Sequence, residues 1–203
     1  MRYDFIVETY TTERVKVLGV WSMFADQDLK VRPHTSDPRG RSVLEQMIHQ
    51  CVSENFWFHN ILGIDVKAPP LPPEETLMGF ILRYRQDSAN RLEVLKQAHE
   101  AWWEEIVQFF DVECSRAWIM MRGIAHTAHH RGQQTTLLRM LGHDLHSTYG
   151  PSADTGGLMQ NQAPTIYAYS STQELLDGEL QGGQKRDLPG PGDLPPTERP
   201  DQI

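Results

Sequence analysis

Apolar residues recur at spacings of three and four along most of the first 142 positions, the period of helices with one buried face. From Thr12 to Leu29 the stripe is Val15, Leu18, Val20 or Trp21, Phe24 and Ala25, with Glu13 placed to favour the helix dipole. Residues 31–41 (VRPHTSDPRGR) hold Pro33, Pro38 and Gly40 and forbid regular structure, and Ser42 with Glu45 then matches a capping box. A second helix is predicted from Val43 to Leu62, ended by Gly63. Its inward stripe is Leu44, Met47, Ile48, Cys51, Asn55 and Phe58; the adjoining stripe of Glu45, His49, Val52 and Phe56 lets His49 look into the interior.

The proline-rich link KAPPLPPEE (67–75) leads, through Pro73, Glu74 and Glu75, into a third helix over Glu74–His99. Residues 101–113 (AWWEEIVQFFDVE) are aromatic without a clear period and read as irregular or a short helix. Ser115 is a good N-cap for a last long helix, through Ala117, Trp118, Met121, Ile124, Ala125, Ala128, Leu137, Leu138, Met140 and Leu141, which Gly142 ends. No repeat and no strong alternation of period two is present, although TIYAY (165–169) suits a short strand or a docking segment. The expected fold is all-α, a four-helix bundle followed by an extended, largely irregular C-terminal tail.

Charge divides the chain. The formal net charge is -8, with 19 Lys+Arg against 27 Asp+Glu, which excludes partners selected by bulk basicity such as nucleic acid or an anionic membrane. Residues 143–203 hold nine acidic and three basic residues, and also 7 of the 13 Pro and 8 of the 15 Gly. The expected organisation is a bundle over 1–146, a docking segment over 147–172 and a disordered acidic tail over 173–203. Two cysteines, Cys51 and Cys114, make no disulfide framework, and no apolar run approaches a signal or membrane-spanning length. A cytoplasmic protein is the expectation.

Histidine is the informative residue type. Five of the nine histidines fall between His126 and His146. His126 and His130 are i and i+4, one above the other on a helix face, as two imidazoles on one metal ion require; His129, at i+3 from His126, leaves a second pair open. Thr127 stands where a zinc protease would carry its glutamate, so that chemistry is excluded. His49 is the best third donor from another helix. Arg131 and Gln133 flank His130 and suit either ligand orientation or helix contact, while Gly123 and Gly132 suggest close helix approach. Cys51 lies on another side of the helix from His49 and reads as core; His143 and His146 follow the helix stop and suit its dipole.

The segment HTAHHRGQ (126–133) with Leu137, Leu138, Arg139 and Gly142 resembles the signature of the DinB/YfiT-like superfamily of metal-binding four-helix bundles. MIHQCVSE (47–54) and YGPSADT (149–155) are similar to two further segments of that group. The resemblance implies His49, His126 and His130 as the metal ligands, with zinc or nickel as the usual ion, and it implies a homodimer. It also implies a metal-dependent enzyme that uses a low-molecular-weight thiol or water to attack a small electrophile, as thiol S-transferases, hydrolases and isomerases do. The alternative is a non-catalytic metal-binding helical dimer with a stress-response or ligand-binding role. No catalytic residue beyond the metal ligands stands at a diagnostic spacing.

Overall fold

The computed structural model describes residues 2–193, 195 and 197. Four long helices carry the fold: α1 (Asp4–Trp21), α2 (Val43–Phe56, continued by a π turn over Trp57–Ile61), α3 (Leu77–Lys96) and α5 (Arg116–Leu141). A short α4 (Glu100–Glu104) and an antiparallel hairpin of β1 (Ile106–Phe109) and β2 (Val112–Ser115) lie between α3 and α5, and α6 (Thr172–Leu180) comes last. Helix α1 packs on α3, α5 and α6, and α2 packs on α5. No helix among the described residues is long and apolar enough to cross a membrane.

The predicted helix ends hold where a side chain determines them. Ser42 accepts from the Glu45 amide at 3.2 Å while Glu45 Oε2 accepts from the Ser42 amide at 2.8 Å, closing the capping box of α2. Ser115 accepts from the Trp118 amide, and α5 ends on Gly142 at φ 75, the left-handed conformation that glycine adopts without strain. Helix α3 starts three residues later than expected, at Leu77, because Thr76 rather than the Pro73 region caps it by accepting from the Gly79 amide at 3.0 Å. A Cβ at position 79 would collide with the Glu74 carbonyl, so glycine is required at this turn.

Three expectations are corrected. The first helix spans Asp4–Trp21 rather than Thr12–Leu29, because Asp28 Oδ2 accepts from the Ala25 amide at 2.7 Å and closes a separate 3₁₀ turn over Asp26–Lys30. The fold is mostly helical rather than all-α, since residues 106–115 pair as a hairpin whose two-residue loop has Phe110 at φ 53. Residues 173–180 of the expected disordered tail are helical, since Ser171 caps α6 and Leu175 is fully buried, while residues 194, 196 and 198–203 of it lie outside the described residues. Before α6, TIYAY docks rather than pairing, with the Ser147 amide donating to the Ile166 carbonyl at 2.8 Å and Ala168 and Tyr169 entering the core.

The core has two apolar halves, one around Leu18, Trp21, Met47, Phe80 and Leu138 and the other around Ile6, Phe58, Leu95, Trp103 and Ile119. A largely buried carboxylate ties them. Glu54 accepts from Tyr84 of the first half at 2.9 Å, from Tyr10 of the second at 2.6 Å, and from Arg91 at 3.1 Å. Three donors, one of them cationic, offset the cost of burying that charge.

Candidate metal centre

Helices α2 and α5 face each other across His49, His126 and His130. The Nε2 atom of His126 lies 3.3 Å from that of His49 and 3.1 Å from that of His130. Tetrahedral coordination at the usual metal–imidazole distance spaces its nitrogens by about 3.3 Å, so these atoms have the separation that one ion imposes. His130 is buried and the other two are half-buried. The rings pack edge to face, with centroids 4.5 Å apart for His126 and His130 and 4.7 Å for His49 and His130.

The protonation pattern suits metal ligation. His130 Nδ1 lies 2.7 Å from Gln46 Oε1 and 3.1 Å from Gln133 Oε1. An amide oxygen only accepts, so Nδ1 is assigned the proton and Nε2 keeps its lone pair toward the other histidines. Gln46 Nε2 in turn donates to Gln133 Oε1 at 2.8 Å, which fixes both amides. Burial, reinforced by the neighbouring histidines, lowers His126 and His130 to about 4, and burial with the Arg41 charge also lowers His49. All three are therefore neutral donors at physiological pH.

Other sequence-derived candidates lie apart from this cluster. His129 is exposed; its Nε2 is 3.0 Å from the Gln133 amide nitrogen rather than turned to the other three. Gln133 contacts His130 Nδ1, whereas Arg131 points to α1, where it is buried in an ion pair with Glu13 and donates to Tyr149. A Cβ at Gly123 would make ordinary contact with the Trp57 ring, and one at Gly132 would meet nothing, so neither glycine marks a tight helix approach. His143 is bonded to Asp28 at 2.8 Å and His146 to the Arg186 carbonyl at 2.8 Å. Burial pushes the Cys51 thiol up, leaving it an inert core residue.

Sequence reasoning missed two features. Gln46 is one; its only signal is its place at i−3 from His49, on the same side of α2. The other is an internal cavity of about 30 Å³ between His126, Thr127 and Gly123 on one side and Tyr10, Arg14 and Glu54 on the other, roomy enough for about two waters. Trp57 closes the site from the π turn, its ring centroid 5.2 Å from that of His126.

Comparison with known proteins adds the lineage. The DinB family model matches residues 6–163. Among solved structures, a DinB-like protein from Bacillus cereus is similar at a TM-score of 0.62 and 19% identity, over 71% of this chain and 95% of that one. A DinB-like protein from Bacillus subtilis is similar at 0.56 and 15% identity, over 69% and 94%. Likeness at these identities concerns the fold. No curated protein matches the chain.

Proposed function

The chain belongs to the DinB family, and on that premise we propose that it is a metal-dependent enzyme whose four long helices form a bundle holding one divalent ion on His49, His126 and His130. The observation that carries this reading is the convergence of three neutral Nε2 atoms, with 3.3 Å and 3.1 Å between neighbours, from two helices. Three imidazoles suit zinc or nickel. Three protein donors leave coordination positions open, the arrangement of catalytic rather than structural sites. When bound, such an ion favours the anionic form of a thiol or of water near neutral pH, which supplies a nucleophile for a small electrophilic substrate.

The chain's own residues do the rest. Gln46 and Gln133 retain the His130 Nδ1 proton and hold the ring in register, and Trp57 packs at a tilt against His126. A low-molecular-weight thiol is the proposed co-substrate. The working unit is taken as a homodimer, a reading supported by the exposed apolar side chains of Phe56, Phe110 and Trp118.

Elemental analysis of protein purified without added metal tests the site: about one ion per chain is expected, and less than about one per two chains contradicts it. His126→Ala is expected to abolish metal retention and, with it, conjugation of a chloro-aryl electrophile to a thiol. Metal retained by the wild type with no conjugate from any thiol would favour a non-catalytic role.

A further inference from the structure

A surface groove of about 560 Å³ opens beside His49, between α2 and the loop that precedes it. Ile48 and Val52 of α2 and Pro38 of the loop give it apolar walls, and Arg39, Arg41 and Glu45 give it charge. Two of those charges are already neutralised. Arg39 is paired with Asp37 at 2.7 Å, and Glu45 with Arg32 at 2.6 Å as well as with the capping amide of Ser42. Arg41 is exposed and has no ion pair or hydrogen bond among the described residues. Its positive charge nevertheless reaches both His49 and His126.

A second guanidinium stands on α5. Arg122 lies one helical turn before His126 on the same face of α5, is exposed, and likewise has no ion pair among the described residues. The three-histidine cluster contains no carboxylate. With a divalent ion in place the centre would hold the ion's charge beside two guanidinium groups without an ion pair, and the one carboxylate lining the groove, Glu45, is already paired with Arg32. In a chain whose net charge is -8, this local excess of positive charge is open to an incoming anion.

We propose that the groove selects the thiol co-substrate by its carboxylate: Arg41 binds that carboxylate while the thiol end lies at the three histidines. The inference rests on the metal-centre reading above and narrows its substrate class. The planar guanidinium fork matches a carboxylate with two parallel hydrogen bonds, a geometry that lysine does not reproduce. The apolar walls of Pro38, Ile48 and Val52 suit a short carbon chain between the two ends.

The test uses the zinc-loaded full chain, with metal content measured first, and calorimetric titration of two thiols that differ only in charge, 3-mercaptopropionate and 3-mercaptopropan-1-ol. Wild type is expected to bind the carboxylate form about tenfold more tightly, the value of one charge-assisted contact. Arg41→Gln is expected to bring that preference below about threefold and leave the neutral thiol unchanged, and Arg41→Lys to restore part of it. Chain that retains no zinc overturns the metal reading and this inference together. Chain that retains zinc but binds both thiols equally, or neither, overturns the inference alone. So does a preference that survives Arg41→Gln, or a loss of both thiols in Arg41→Gln, which would make Arg41 part of the frame rather than the selector.

Discussion

Gln46 is a buried amide whose oxygen meets His130 Nδ1, a ring nitrogen that must stay protonated for Nε2 to be a donor. An apolar side chain there would leave His130 free to exchange tautomers and to tilt, which weakens ligation without removing a ligand. Gln46→Leu is therefore expected to lower metal affinity by about 10- to 100-fold, read by competition with a chromophoric chelator at fixed pH, while Gln46→Glu keeps an acceptor and most of the affinity. A change within about threefold for Gln46→Leu would make the residue simple packing. An i, i+4 pair of imidazoles makes His126 and His130 candidates from spacing, but spacing leaves His129 open as well, and it is the family resemblance that points to the i, i+4 pair. Gln46 was not legible, because an amide at i−3 from a histidine in an amphipathic helix looks like any polar residue at the edge of a buried stripe.

Between elements, the tie that sets α5 against α1 is the buried ion pair of Arg131 with Glu13, joined by Lys16 and Tyr149. Burial pushes the Glu13 carboxyl up, but Arg131 and Lys16 beside it outweigh that and hold it below its ordinary value. A carboxyl lowered on folding contributes stability that is fully present above its unfolded value and is lost as pH falls through the folded one. Glu13→Gln is therefore expected to cost about 3 kcal/mol at neutral pH, because it leaves Arg131 buried without its counter-charge, and to flatten the acid side of the stability profile. Replacing both partners, Glu13→Leu with Arg131→Met, is expected to recover most of that loss; a double variant as unstable as the single one would contradict the pair as the cause. This tie also explains the misplaced start of α1. Glu13 and Arg14 are buried, so the apolar stripe is interrupted where the helix is in fact continuous, and Ile6 and Tyr10 carry its face back to Asp4. Helices α2 and α5 were legible to within a residue or two of their starts because Ser42 and Ser115 cap them with side-chain hydrogen bonds. The hairpin was not, since strands of four residues joined through Phe110 and Asp111 carry neither a long alternation nor a glycine turn.

At the scale of the whole molecule, composition misled most in the C-terminal region, where Pro, Gly and acidic residues average out a few well-placed apolar ones. Leu175 inserts into the same apolar half that Leu18 and Trp21 occupy, Tyr169 packs on Gly178 and bonds Glu179, and the Gly190 amide donates to the Asp154 carbonyl at 3.1 Å. Residues 147–190 thus form a strap that returns over α1, where α6 packs, and Ala168, Tyr169 and Leu175 cover part of that apolar half. Such a strap contributes stability without contributing ligands. Leu175→Ala is expected to lower unfolding free energy by about 3 kcal/mol, the usual cost of emptying a fully buried leucine site, with the denaturant midpoint shifted and its slope kept. Metal stoichiometry in that variant is expected to match the wild type. A midpoint left unmoved would mean that α6 is not held against the core, whereas a loss of metal in parallel with stability would mean that the strap and the histidine centre fold as one cooperative unit.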